Sequence, residues 1–410
     1  MKSTRRKFVL NTMKTSAFIA LAPWSVFSQG GENRNDAIPS LVDLHAFFKT
    51  PVIIKQIEIV RTQGKLFVKT TSGDGIVGIT QCNERMDYLV PIFNGLVVPC
   101  FLGKDARDLE GLVRDVYNDG RNYKYAGMPF SNCVGHLELS IWDLLGKTAK
   151  QPASLFFGKP IRTEVPVYLS SLTRDNTADE EIAALGEQLE KTGALAIKLK
   201  VGGRMTGEEK IPGRSNRIIS LARKTFGNRI TIYADSNGSY SVKDAIAVGK
   251  MLEEHGVKIF EEPCPWEDND SNKKVAAALH KITVAGGEQD TSLHRFQHII
   301  NEGVYDLVQP DLYYNGGLLR CVQVGNMAAK KKFGIAPHSP KADPLESAML
   351  QFAAISPNLE GFQEYPSNPG TQPSWYSPHF NIVNGKCQIP IGPGLGVSFD
   401  DSIWKKQEKL

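Results

Sequence analysis

The chain has 410 residues, 41% hydrophobic and 22% charged, which is ordinary for a globular protein and long enough for two domains. Its formal charge of +4 comes from the first residues: Lys2, Arg5, Arg6, Lys7 and Lys14 precede the first acid, Glu32, and the remainder stands near −1. Basic charge therefore gives no ground for a nucleic-acid partner.

Thr4-Arg5-Arg6-Lys7-Phe8-Val9-Leu10 carries a twin arginine followed by apolar residues, and Ala17–Phe27 adds a short, weakly hydrophobic stretch. This pattern predicts a twin-arginine signal peptide over residues 1–28, hence a periplasmic or exported protein that meets the twin-arginine translocon already folded. The apolar stretch is about half of the roughly 20 residues that span a bilayer, so no stable membrane anchor is expected. Residues 29–51 read as a linker, polar from Gln29 to Pro39. The six cysteines, Cys82, Cys100, Cys133, Cys264, Cys321 and Cys387, form no CxxC or zinc-like spacing. They read as buried small hydrophobes rather than as a disulfide framework.

Residues 52–160 read as an α+β unit. Val52–Thr62, Lys65–Thr71 and Ile76–Cys82 have strand character, with Ser72-Gly73-Asp74-Gly75 as a turn. Helical patterns follow at Tyr88–Val98, Ala106–Asn118 and Cys133–Thr148, the last amphipathic through Leu137, Ile141, Trp142 and Leu145.

From 161 to 365 a rhythm takes over. Short apolar runs, the first at Val165–Leu169, end at Lys198 and Lys200, Asp235, Glu261, Glu288, Asp311, His338 and Glu364. From Lys200 the intervals are 35, 26, 27, 23, 27 and 26 residues, each close to one strand, one helix and two loops. The pattern predicts a closed parallel barrel, with helices such as Val242–Leu252 and Leu319–Lys330 between strands. In such barrels chemistry sits at the C-terminal strand ends, so these residues are expected at one mouth. Residues 366–410, rich in Pro and Gly, are expected to pack back on the first domain.

Asp235, Glu261 and Glu288 end consecutive strands, where three carboxylates would repel unless they share a cation. All-oxygen ligation favours Mg²⁺, with Mn²⁺ as the alternative. Glu262 and Glu267 compete for the ligand role, although Glu262 should point away from Glu261. Lys198 and Lys200, two residues apart, face the same way, and mutual repulsion is expected to leave one neutral enough to act as a base. Asp311 beside His338 makes a second acid/base group, and Glu364 is read as a protonated carboxyl that donates to a developing oxyanion, or as a plain structural carboxylate. A metal beside two opposed bases suits removal of a proton α to a carboxylate.

The ordered set KLK, YADSNGSY, FEEP, GGEQ, QPDLYYNGG and a late histidine, with TTSGDGIVGI and Trp142-Asp143-Leu144-Leu145-Gly146-Lys147 ahead of it, resembles the mandelate racemase subgroup of the enolase superfamily. The resemblance implies an α/β fold: a modified TIM barrel of (β/α)7β type with an N-terminal α+β capping domain completed by the C-terminal segment. It further implies Mg²⁺ ligands at Asp235, Glu261 and Glu288, a general base at Lys200 assisted by Lys198, a His338–Asp311 dyad on the opposite face, and Glu364 near the enediolate oxygen. Gly78-Ile79-Thr80-Gln81 departs from the GxGE-like stretch of relatives, so substrate contacts of the capping domain do not carry over.

The implied reaction is acid-sugar dehydration, a lyase activity on a small carboxylate, with racemisation, epimerisation or lactone cycloisomerisation as alternatives. A non-catalytic sugar-acid binding protein is the reading from another class, and a homo-oligomer is expected. Arg85, Tyr123 and Tyr125 are the candidate substrate contacts from the capping loops. Gly202–Asn216 reads as a long loop, a candidate lid or subunit contact, whose Arg204 and Arg214 could meet an anion or simply be solvated.

Overall fold

The computed structural model describes residues 40–205 and 207–410. The signal-peptide reading over 1–28 and the linker up to Pro39 lie outside the described residues. Residues 40–410 form one compact unit. Within 40–51, read as linker, Leu44–Phe47 makes one helical turn, because Val42, Leu44 and Phe48 are apolar enough to be buried.

Three antiparallel strands open the unit, β1 (Ile54–Thr62), β2 (Lys65–Ser72) and β3 (Val77–Gln81). The strip Glu408–Lys409 adds to the free edge of β1, so both ends of the unit build one sheet. Phe67 on β2 meets the rings of Trp375, Phe399 and Trp404 at 5.9, 5.5 and 5.3 Å, which fastens the C-terminal segment to that sheet. The same segment also reaches the barrel, since Lys386–Gln388 pairs antiparallel with Glu164–Pro166. The segment expected on the first domain therefore touches both.

Helix Met128–Ala149 is buried continuously from Phe130 to Gly146, not on one stripe as its periodicity predicted. The reason is that it is enclosed on two sides. Gly78 of β3 comes so close that a Cβ there would collide with Ser140 O and Leu144 N, while a Cβ on Gly135 would stand 2.7 Å from Tyr313 O. Between them, Glu138 accepts from Leu318 N and Leu319 N at 2.9 Å each, satisfying the first amides of helix Leu318–Lys330.

Eight parallel strands form the barrel: β4 (Glu164–Ser170), β5 (Ala196–Lys200), β6 (Thr231–Asp235), β7 (Ile259–Glu261), β8 (Thr283–Gly286), β9 (Leu307–Val308), β10 (Gly334–Ile335) and β11 (Gln363–Pro366). They pair in chain order, β11 returns to β4, and an Ile335–Leu359 bridge closes the ring. Seven helices alternate with the strands, so the architecture is the (β/α)7β barrel expected. Local signals fix the helix ends: Thr177 and Glu180 form a capping box, Ser241 and Ser292 cap with their hydroxyls, and Gly193 and Gly303 stop two helices in the left-handed region. The lumen is filled by Tyr168, Ala196 and Tyr233 on one side and Ala285, Leu307 and Ala336 on the other, with Ile259 touching both groups.

Candidate active site

Because all eight strands run the same way, their C-terminal ends share one face. Lys198 and Lys200 end β5, Asp235 ends β6 and Glu261 ends β7; Lys200 is in register with Asp235, and Asp235 with Glu261. Glu288, Asp311 and His338 follow β8, β9 and β10 by two to three residues, and Glu364 lies in β11. All eight side chains predicted from the strand-end pattern come to this end. A groove of about 970 Å³ along the C-terminal segment shares none of them.

Lys198 sits among carboxylates. Lys198 Nζ lies 2.7 Å from Glu261 Oε1, 2.8 Å from Glu364 Oε1 and 3.7 Å from Asp235 Oδ2. Burial alone would lower its pKa, but Glu261 and Glu364 outweigh burial and raise it well above the ordinary lysine value. Lys198 is therefore an ammonium in this arrangement, which leaves the expected base role to Lys200. Lys200 Nζ pairs with Asp235 and reaches Asn237 Oδ1 at 3.3 Å.

Of the two readings of Glu364, its surroundings favour the carboxylate. It accepts from Ser170 Oγ at 2.8 Å and Ser339 N at 3.2 Å. Burial favours its protonated form, yet Lys198 and His338 pull its pKa down to about 2, so it is an ionised acceptor rather than a protonated donor.

Asp235, Glu261 and Glu288 converge, but among the described residues no three acidic, histidine or cysteine side chains are arranged to hold a metal ion as they stand. Lys198 and Lys200 occupy Asp235 and Glu261 instead, and His338 lies beside Glu288. The local charge nonetheless fits a hard cation. Both carboxyl oxygens of Glu262 are buried without a partner, and burial together with Asp235 and Glu261 raises its pKa to about 8. Glu288 is raised to about 8 by burial and by the carboxylates of Glu262, Glu261 and Asp235, against the opposing pull of His338. Such an all-oxygen set with surplus negative charge suits Mg²⁺ more than zinc or copper. Glu267, the other candidate ligand, is exposed.

His338 Nδ1 stands 2.8 Å from Asp311 Oδ2, whose other oxygen accepts from Tyr313 N at 2.7 Å and Tyr314 N at 3.0 Å. Burial would raise the Asp311 pKa, but Lys341 and His338 hold it well below the carboxylate range. Burial would lower that of His338, yet Glu288 and Asp311 raise it. With Nδ1 committed to Asp311, Nε2 is the nitrogen left for chemistry, 3.4 Å from Glu288 Oε2 and 3.9 Å from Glu364 Oε2.

Similarity to known proteins agrees with this layout. The family model described as enolase C-terminal domain-like matches residues 181–403, more than half of the chain. The chain belongs to that family. D-galactarolactone cycloisomerase of Agrobacterium fabrum is 28% identical over 349 residues, covering 82% of this chain and 89% of its own length. Arabinonate dehydratase of Saccharolobus solfataricus is 24% identical over 341 residues, covering 82% and 88%. A crystal structure of a mandelate racemase/muconate lactonizing protein from Paracoccus denitrificans, complexed with magnesium, aligns with a TM-score of 0.77 at 24% identity over 88% of this chain and 99% of that one, a likeness of fold.

Around this enolase-type centre several residues were invisible to motif reading. Arg174 donates to the carbonyls of Val201, Gly202 and Asp235 and to Asn237 Oδ1, tying the ends of β5 and β6 together. Arg214 begins helix Arg214–Phe226, two residues inside the predicted loop, and donates to Asn176 O at 2.7 Å and Lys200 O at 2.9 Å. Arg214 braces the strand end, whereas Arg204 is exposed. Gln309 Nε2 donates to Glu261 Oε2 at 2.8 Å, and Lys341 Nζ lies 3.4 Å from Asp311 Oδ2. Only a strand-register model could have found Gln309, two residues before Asp311 and so on the same side. Of the capping-loop candidates, Arg85 stacks 4.6 Å above the Tyr314 ring, beside the dyad. Tyr123 and Tyr125 lie 58% and 54% exposed on a short turn, and their described contacts reach none of the strand-end residues.

Proposed function

We propose that the chain is a divalent-cation-dependent lyase that removes the proton α to a carboxylate of an acid sugar and expels the neighbouring hydroxyl, giving a 2-keto-3-deoxy acid. The observation that carries this reading is the gathering of two acid/base groups around shared carboxylates: Lys200 pairs with Asp235, which Lys198 also meets at 3.7 Å, and Glu364 lies 2.8 Å from Lys198 and 3.9 Å from His338.

Mg²⁺ held by Asp235, Glu261 and Glu288 would supply positive charge against the substrate carboxylate. Lys200 Nζ takes the C2 proton, and Lys198, a fixed ammonium, stabilises the negative charge that develops on the carboxylate oxygens. His338 Nε2 gives its proton to the C3 hydroxyl, which leaves as water as the C3–O bond breaks. The enol that remains ketonises to the product, so protons and electrons balance. Asp311 holds the imidazole in position throughout.

The dehydratase names among the relatives support elimination, and the cycloisomerase supports a second reading in which the same groups open or close a lactone. Export by the twin-arginine route belongs to the same proposal; it rests on Arg5-Arg6 and is tested by cell fractionation. The chemistry is tested by proton NMR in D₂O with Mg²⁺ and a panel of aldonic, aldaric and uronic acids and their lactones. New C3 methylene signals are expected. Exchange of the α-proton without elimination would move the assignment to a racemase or epimerase, and silence across the panel would overturn the enzymatic reading.

A further inference from the structure

The dyad side of the mouth carries two cations that the reaction does not use. Lys341 follows His338 by three residues, and its side chain is only 11% exposed. Its ammonium has three N–H donors, yet among the described residues its one hydrogen-bond acceptor is Asp311 Oδ2 at a long 3.4 Å; the Tyr313 ring lies 5.5 Å away, and Tyr314, Glu346 and Glu364 act on it only through space. Arg85 reaches over from the turn after β3 and lies 4.6 Å above the Tyr314 ring, with no carboxylate partner among the described residues. Tyr314 is the common wall. Its ring is 6.0 Å from that of His338, and its hydroxyl feels both Arg85 and Lys341.

Arg85 is exposed and needs no partner of its own, so what singles it out is its place over the Tyr314 ring, next to the dyad and to the hydrogen-bond-poor Lys341. A nearly buried ammonium is usually saturated with acceptors, and a guanidinium stacked on an aromatic face has its in-plane donors directed outward for a planar anion. Asp311 Oδ2 is shared between His338 Nδ1 at 2.8 Å and Lys341 Nζ at 3.4 Å, which leaves N–H donors of Lys341 without a hydrogen-bond acceptor.

We propose that Arg85, Lys341 and Tyr314 form an anion subsite, and that the preferred substrate is therefore a dicarboxylate acid sugar rather than a monocarboxylate one. One carboxylate of the substrate faces Asp235, Glu261 and Glu288 with their cation, and the far carboxylate is received by Arg85 and Lys341. Charge alternates along the mouth accordingly: an acidic set at β6–β8, and the cations Arg85 and Lys341 beside β9 and β10. This rests on the acid-sugar reading above.

The test compares a panel of hexarates with hexonates of matching stereochemistry, each with Mg²⁺ in D₂O. Wild-type protein is expected to turn over a hexarate with kcat/KM about ten- to a hundredfold above the matched hexonate. Arg85→Met should remove most of that preference through KM, Arg85→Lys should restore part of it, and Lys341→Met should lower hexarate affinity in the same direction. Calorimetric binding of the hexarate to Lys200→Ala protein, with and without Arg85→Met, reads the same contrast without turnover. Equal kcat/KM for both acids, or an Arg85→Met loss shared equally by both, overturns the subsite and leaves the acid-sugar reading standing. No α-proton exchange with any acid overturns both.

Discussion

Lys198 Nζ stands 2.8 Å from Glu364 Oε1, a contact that joins β5 to β11 across the intervening β4. The same nitrogen meets Glu261 at 2.7 Å, so one buried ammonium is the counterion of two buried carboxylates. Lys198→Met should therefore destabilise the chelator-treated protein by about 3–5 kcal/mol. Urea unfolding checks this, and added Mg²⁺ should recover part of the loss because it would neutralise Glu261. An unchanged midpoint would contradict the counterion role.

Lys200 and His338 are predicted to act on opposite sides of one substrate carbon skeleton. Lys200→Ala should slow α-proton exchange by about a hundred- to ten-thousandfold, whereas His338→Ala should spare exchange and abolish elimination. Both variants should keep the thermal shift on adding Mg²⁺, about 2.7 kcal/mol of stabilisation at a hundred times the dissociation constant. Full turnover in either variant would remove that residue from the mechanism.

His136 gives a pH dependence away from the mouth. It is fully buried, its Nε2 accepts from Asn83 N at 3.3 Å, and its ring is 4.6 Å from that of Tyr313. Burial lowers its pKa from 6.5 to about 3. Between those values the unfolded chain binds a proton that the folded protein does not. The contribution is therefore complete above pH 6.5 and is lost as pH falls toward 3, by a few kcal/mol at roughly 1.4 per pH unit. His136→Gln should flatten this part of the stability profile, measured by denaturant unfolding across the range.

Gly78→Ala should disrupt the seam between β3 and helix Met128–Ala149. The new Cβ would strike Ser140 O and Leu144 N, which are backbone atoms and cannot rotate aside. A loss of about 1–3 kcal/mol in unfolding free energy is expected, and a melting curve that matches wild type would mean the helix can shift.

The strand-end residues were legible because the barrel repeats: a period of one βα unit places every run of apolar residues in the wall and whatever follows it at the mouth. Their state of charge was not. Lys198 and Lys200 invite the inference of two cations repelling each other, yet strand register brings Asp235 and Glu261 against them, and those distances depend on tertiary pairing that sequence spacing does not encode. Arg174, Gln309 and Lys341 escaped for a related reason, since loops and off-pattern positions carry no periodicity. The one-sided reading of helix Met128–Ala149 failed because its second face is covered by residues 312–318, almost two hundred positions downstream.

The pairing of β1 with Glu408–Lys409 sets an order on biosynthesis. While a ribosome is still adding residues, the edge of the sheet at Ile54–Thr62 stays uncovered, and its partner emerges after every barrel strand has been made. Contacts of such sequence separation form late and slowly. The sheet is thus closed by residues made after the barrel, and a chain released short of residue 408 would leave a bare β edge open to pairing with its neighbours.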